Sequence, residues 1–108
     1  MAYSKELADR IREALAAEPA VREVGMFGGR SFLVEDKLAL TANNRGDLML
    51  RCDPARVDEL LERGSKVAEM RGRQMSRGWL IVSSDDLQTE EDFAFWVGVA
   101  LEYNRRSR

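Results

Sequence analysis

An amphipathic segment stands near the start of the sequence. Leu7, Ile11 and Leu15 recur at every fourth position, so they share one face of a helix. Ser4 stands just before this stretch and is a residue type that favours the helix N-cap. The spacing predicts a first helix over residues 4–17, with its apolar stripe facing the core.

From residue 24 onward the hydrophobic period shortens to two, which is typical of β strands. In the last of these stretches Leu48, Leu50 and Cys52 alternate with Met49 and Arg51. That alternation predicts a half-buried antiparallel strand with Cys52 on the core side. Turn residues such as Gly28-Gly29 and Asn43-Asn44 separate the stretches. The predicted strands form a meander and span residues 24–27, 31–35, 37–42 and 47–52.

The second half of the chain carries two further helix starts. Asp53-Pro54 is typical of a helix N-terminus, and Gly64 suits the end of the same helix. Thr89, followed by Asp92, resembles a capping box and predicts the start of a last helix. Between these helices we predict two strands, residues 66–70 and 79–83, on either side of a loop rich in Gly and Arg. The strand over residues 79–83 is apolar on both faces, which favours a central, covered position.

The order of elements predicts an α+β fold. It is helix, three or four strands, helix, two strands, helix, with an antiparallel sheet of about five strands in two layers. A chain of 108 residues suits one domain, here residues 1–108, and buries enough surface for a core without metal or disulfide staples.

The last helix has more apolar surface than one packed face requires. Its core stripe is Phe93, Trp96, Val97, Ala100 and Leu101. Phe95 and Val99 fall outside this stripe and Tyr103 lies at its edge. Two alternatives stay open: the chain itself covers these side chains, or they form the interface of a homodimer or of another protein partner.

Composition excludes several kinds of active site. The chain has no His and one Cys, which rules out Ser-His-Asp and Cys-His nucleophiles, His-ligated zinc and an intramolecular disulfide. We therefore expect a domain that is not an enzyme and has no cofactor or metal. The main hypothesis is a protein–protein interaction or regulatory module.

Basic residues carry the alternative hypothesis, a nucleic-acid-binding accessory module. The chain has 14 Arg and only 3 Lys, and guanidinium groups bind oxyanions well. The candidate contacts for an anion or a nucleic acid are Arg30, Arg71, Arg73 and Arg77. The sequence pI of about 5.2 weighs against strong phosphate-driven binding, so this alternative is not favoured.

Targeting features are not evident in the sequence. Residues 1–12 are charged and lack the apolar stretch of a signal peptide, and no apolar run approaches the roughly 20 residues that span a bilayer. We expect a cytoplasmic protein that does not bind membranes.

Three segments, in this order and spacing, resemble the N-terminal domain of the TfoX/Sxy family, and the resemblance extends over about residues 3–105. They are Met26-Phe27-Gly28-Gly29-x-x-Phe32-Leu33-Val34, Met75-x-x-Gly78-Trp79-x-x-Val82 and Trp96-Val97-x-x-Ala100-Leu101.

The resemblance implies a regulatory setting. The best-known members of the family regulate natural competence for DNA uptake together with a transcription activator, and they carry a second, C-terminal domain. This chain resembles the N-terminal domain alone, so we expect a stand-alone domain of this type. No catalytic or ligand-binding residue is carried over to this chain from the resemblance.

Overall fold

The computed structural model describes residues 4–26, 28–70, 72–75 and 78–107, and these contain three α-helices and eight strands. The helices are α1 Lys5–Ala14, α2 Val57–Glu62 and α3 Glu90–Arg106. The strands are β1 Val21–Met26, β2 Gly29–Val34, β3 Lys37–Ala42, β4 Leu48–Arg51, β5 Lys66–Val67, β6 Glu69–Met70, β7 Arg73–Gln74 and β8 Trp79–Val82. Two 3-10 turns, Pro54–Arg56 and Ser84–Leu87, precede α2 and α3.

Six of these strands form one antiparallel sheet in the order β1-β2-β3-β4-β8-β5. The remaining two, β6 and β7, pair as a separate small sheet. The predicted α+β fold is confirmed, with one strand more in the main sheet than the five expected.

The first helix follows the sequence pattern closely. Ser4 caps it, since its Oγ accepts a hydrogen bond of 3.1 Å from the N–H of Leu7. Leu7, Ile11 and Leu15 are all buried, as predicted. The helix ends at Ala14 rather than at residue 17, because the backbone leaves α geometry at Leu15 and continues as turns.

The meander is confirmed, but its first two strands begin earlier than predicted. β1 starts at Val21, which pairs with Val34, and β2 starts at Gly29, which pairs with Met26 across a two-residue turn. Gly28 supplies a φ of +75° in that turn. The next hairpin turns at Glu35 and Asp36, with φ values of +53° and +65°.

The segment after β4 also differs in detail. Asp53 accepts a hydrogen bond of 2.9 Å from the N–H of Ala55 and caps a 3-10 turn, so the α-helix begins only at Val57. The strand predicted over residues 66–70 is split in two at Ala68. The N–H of Ala68 donates to Trp79, and its carbonyl accepts from the N–H of Met75. Ala68 therefore joins the small sheet to the main one.

One prediction about β8 is wrong. The strand was expected at the centre of the sheet with both faces covered, but it lies second from the edge, between β4 and β5. Leu80 and Val82 are buried, whereas Trp79 and Ile81 are half-buried. The outer strand β5 has only the residues Lys66–Val67, which leaves this end of the sheet partly uncovered.

The core lies between the sheet and the helices. Phe32, Leu40, Leu50 and Leu80 are opposed across four neighbouring strands and are all fully buried. Cys52, two residues after Leu50 in the chain, is also buried at 0% exposure, as predicted. The helices α1 and α3 add further members of the cluster, including Ile11, Phe93, Trp96 and Ala100. The start of α3 is also as predicted, with Thr89 Oγ1 accepting from the N–H of Asp92 at 3.0 Å.

The reverse face of the sheet is polar in part. Ser31 and Thr41 stand opposite one another on β2 and β3, and their hydroxyls share a buried hydrogen bond of 2.9 Å. Met49, on the same face of β4, is also buried. Each hydroxyl thus has a hydrogen-bond partner in the other, as is usual for buried polar side chains.

Candidate functional site

The apolar side chains that widen the stripe of α3 do not form one exposed patch. Val99 is 4% exposed and belongs to the core of the same chain, so its predicted role at an interface is wrong. The reason is that α3 lies across the middle strands and buries more than one face. Phe95 is half-buried against the core, and Tyr103 is half-buried nearer the end of the helix.

Arginine side chains cover both half-buried rings. The guanidinium of Arg63 lies 3.7 Å from the ring centroid of Phe95, and that of Arg51 lies 5.6 Å from the ring centroid of Tyr103. Such cation–π contacts screen an aromatic ring from water without burying it completely. An interface through these two rings stays a prediction.

The basic residues proposed as anion contacts are distributed over both sheets. Arg30 lies half-buried on β2, with its Nε 3.4 Å from a carboxylate oxygen of Glu23. Arg73 is exposed on β7 of the small sheet. Arg71 and Arg77 lie outside the described residues. The described members therefore share no strand pair, and Arg30 is engaged by an acid.

Glu23 is the centre of a cluster on the helix side of the sheet. Arg12 of α1 reaches it with two hydrogen bonds, Nε to Oε2 at 2.6 Å and Nη2 to Oε1 at 2.7 Å. These bonds, opposed in part by burial, hold the pKa of Glu23 below its ordinary value and raise the pKa of Arg12. The cluster fixes α1 to β1 and β2.

The lowered pKa of Glu23 predicts a pH-dependent stability. The folded state favours the ionised carboxylate, so the contribution is complete above the ordinary value of 4.5 and declines as the pH falls below it. Glu23→Gln is therefore expected to be less stable than the wild type at neutral pH, with a difference that shrinks in acid. Urea midpoints measured over a pH series test this. Glu62→Gln removes an exposed carboxylate and is the control; an equal pH dependence in both variants would contradict the prediction.

Most other arginines with described partners are also paired with acids. Arg106 donates to Asp53 at 2.7 Å, which joins the end of α3 to the start of the turn after β4. The pKa of Asp53 is held low by the N–H of Ala55 and then by Arg106. Arg56 is paired with Glu59 at 2.9 Å. The arginine surplus therefore serves largely to connect elements of the fold.

The longest open edge of the main sheet belongs to β1. This strand pairs with β2 on one side only, and the opposite edge strand β5 has just two residues. The N–H of Glu35 donates to Ala20 at 3.3 Å, which sets the hydrogen-bonding phase of the ladder. In an antiparallel pair every second residue bonds to the neighbouring strand. The backbone N–H and C=O groups of residues 22, 24 and 26, like those of Ala20, therefore point towards β2.

It follows that Val21, Glu23 and Gly25 direct their N–H and C=O groups away from the sheet. Within the described part of the chain, no backbone group bonds to them on that side. We call the outward groups of these three residues the β1 edge. The side chain of Val21 is 36% exposed. The side chain of Val24, which lies between Glu23 and Gly25 in the strand, is half-buried. An edge of this kind is a template for pairing with another strand.

Sequence reasoning did not identify the β1 edge. It placed the start of the first strand at residue 24, which leaves too short an edge to pair. The signal was nevertheless available, because the first strand of a meander has a neighbour on one side only unless a later strand joins it.

No helix within the described residues is both long and apolar enough to span a bilayer.

Comparison with known proteins identifies one family. A family model described as the TfoX N-terminal domain matches residues 13–103, from the last turn of α1 to near the end of α3. Among proteins of curated function, none matches the chain. The matched range includes every strand of both sheets, so the match extends over the whole sheet framework described above.

Proposed function

The chain belongs to the TfoX N-terminal domain family, and from that premise we propose that it is a non-enzymatic regulatory domain of the cytoplasm. It acts through protein contact, and its partner at the β1 edge is a second copy of itself. The observation that carries this proposal is the run of outward backbone groups at Val21, Glu23 and Gly25. The regulatory setting rests on the family, as does any link to competence or transcription.

The charged side chains of β1 favour one register for the pairing of two copies. Antiparallel pairing about a two-fold axis places one residue of β1 opposite itself. An axis at Glu23 sets two carboxylates against each other, and an axis at Arg22 sets two guanidinium groups against each other, both of which are unfavourable. An axis at Val24 sets two half-buried valines against each other instead. Of these three axes, the one at Val24 is favoured by charge, and we centre the proposed dimer there.

The phase of the hydrogen bonds agrees with this register. With the axis at Val24, Glu23 of one copy stands opposite Gly25 of the other, and both residues present outward N–H and C=O groups. Each such pair exchanges two hydrogen bonds, and the axis generates the pair twice. The two main sheets then become one continuous sheet, and the two open edges disappear.

Binding is also favoured over catalysis by the chemistry of the chain. The sequence has no His, and its one thiol, Cys52, is fully buried. A nucleophilic cysteine needs access to its substrate and an activating base or cation. Both features support a domain that works by contact.

The first test removes a donor at the β1 edge without altering the sheet. Gly25→Pro deletes an outward N–H, and proline is tolerated on an edge strand when its nitrogen faces solvent. Sedimentation over a concentration series should show dimers for the wild type and monomers for this variant. Gly25→Ala is the matched control, since it keeps the N–H and its Cβ meets no atom within 4 Å. A wild type that stays monomeric at every concentration overturns the proposal.

The second test reports the register. In the proposed dimer, the Cα atoms of the two Val24 residues lie about 4.5 Å apart, which is within the range that a disulfide spans. Val24→Cys should therefore form a covalent dimer under mild oxidation, while Cys52 stays unreactive in the core. Arg22→Cys, two positions away on the same face, should not. Equal cross-linking of both variants would show that the axis is placed wrongly.

A further inference from the structure

A cavity of about 290 Å³ lies beside the last turns of α3. The pairing of β3 with β4 runs from Ala42–Leu48 to Leu40–Leu50. The cavity is lined by residues of both strands beyond that last pair and by residues of α3. Lys37 and Leu38 of β3, Arg51 at the end of β4, and Tyr103 of α3 are among the residues that line it. We call this cavity the α3 cleft.

The charge of the α3 cleft is of one sign. Lys37 and Arg51 line it, and no acidic residue is among the described residues that do. Neither cation forms an ion pair with any carboxylate in the described part of the chain. This contrasts with Arg56 and Arg106, at the same end of the molecule, which are both paired with acids.

Aromatic rings hold the guanidinium of Arg51 in place. It lies 5.2 Å from the ring centroid of Trp79 and 5.6 Å from that of Tyr103. A guanidinium group that packs flat on a ring keeps its in-plane N–H groups available. Those groups form the fork that binds a carboxylate or phosphate with two hydrogen bonds. Arg51 is exposed, and its contacts with the two rings favour a position at the mouth of the cleft.

The remaining wall is both rigid and partly apolar. Asn104 is 3% exposed and donates through Nδ2 to the carbonyl of Val34 at 3.0 Å, which fixes the helix against the end of β2. Half-buried Leu38 and the ring of Tyr103 provide apolar surface within the cleft. A volume near 300 Å³ is at the small end of the range for ligand pockets. The cleft thus suits a compact molecule with an anionic head and an apolar body.

We propose that the α3 cleft binds a small organic anion, a carboxylate or a phosphate monoester, whose oxyanion lies between Lys37 and Arg51. The apolar part of the ligand contacts Leu38 and the ring of Tyr103. The proposal does not depend on the β1 edge, because none of the cleft residues belongs to β1.

The C-terminal end of a helix carries partial negative charge, which opposes an anion. Here Ser107 reduces that effect, since its N–H bonds the carbonyls of Tyr103 and Asn104 and its Oγ donates to Tyr103 at 2.8 Å. Two full positive charges in the cleft then outweigh the residual dipole.

Calorimetric titration with phenyl phosphate, benzoate and inorganic phosphate tests the proposal and identifies the head group. We expect saturable binding of phenyl phosphate or benzoate, with inorganic phosphate weaker because it makes no apolar contact. Arg51→Gln should weaken binding at least about tenfold, since it removes a charge-assisted hydrogen-bond donor. Lys37→Gln should weaken it by a smaller factor, because an ammonium group makes a single-point contact.

Matched controls separate a built site from general attraction. Arg63→Gln removes an arginine that also stacks on an aromatic ring but lies outside the cleft, and Lys66→Gln removes an exposed lysine elsewhere. Both should leave the affinity unchanged, and so should Gly25→Pro. Absence of saturable binding for every probe overturns the proposal, as does an equal loss in Arg63→Gln and Arg51→Gln. Unchanged melting temperatures show that each variant is folded.

Discussion

Gly29→Ala is expected to destabilise the protein by about 3 kcal/mol, because an added methyl group has no space. A Cβ at this position would lie 2.2 Å from the carbonyl oxygen of Ala42 and 2.8 Å from the Cα of Asn43. Both are backbone atoms of the neighbouring strand and its turn, so relief requires β2 and β3 to move apart. Gly29 has no left-handed φ, which makes this a steric requirement and not a conformational one.

Two other glycines provide the comparison for Gly29. Neither Gly25 on the edge strand nor Gly98 in α3 would place a Cβ within 4 Å of another atom. Gly25→Ala should therefore be close to neutral, and Gly98→Ala, at an exposed position of α3, should stabilise the protein by roughly 0.5–1 kcal/mol. Urea unfolding with a constant m-value measures all three. If Gly29→Ala unfolds at the wild-type midpoint, β2 and β3 are not packed as described.

Phe32→Ala is expected to cost about 3–5 kcal/mol, the largest loss that we predict from side-chain packing. Phe32 is fully buried and is the widest member of the row that crosses the sheet to Leu80. Its removal takes the ring out of contact with the core and leaves a cavity between the sheet and α1. The neighbouring leucines are held by their own strands and so refill the space incompletely.

The same truncation elsewhere shows whether burial is the cause. Phe95→Ala removes an identical side chain at a half-buried position on α3, and the expected loss is less than half as large. Thermal and urea unfolding of the two variants provide the comparison. Similar losses in both would mean that the row through Phe32 does not dominate the core.

Signals between residues close in sequence predicted most of the helices, strands and turns. The caps at Ser4 and Thr89 and the turn at Glu35 and Asp36 depend on neighbours within a few residues, and the structure contains all of them. The start of β1 was misplaced because Val21 gains its extended conformation from pairing with Val34, a partner distant in sequence. Ala68 similarly divides one predicted strand because it bonds to two different sheets.

The candidate sites were harder to foresee for the same reason. The burial of Val99 depends on where α3 crosses the sheet, which the helical pattern alone does not specify. The α3 cleft unites Lys37, Arg51 and Tyr103 from three elements, and no sequence motif links them. The β1 edge depends on which strands lie side by side, and β8 could have joined the sheet next to β1 instead of β4.

The position of β8 also has a consequence for the order of folding. β1 to β4 pair with their neighbours in sequence through short turns, so their ladders close small loops at little entropic cost. The pairing of β8 with β4 closes a much longer loop, residues 52–78, and α3 comes after β8 in the chain. We expect the meander to form first and the docking of β8 with α3 to complete the cooperative unit. Core substitutions in β2 and β3 should then slow refolding, whereas those in β8 should chiefly accelerate unfolding.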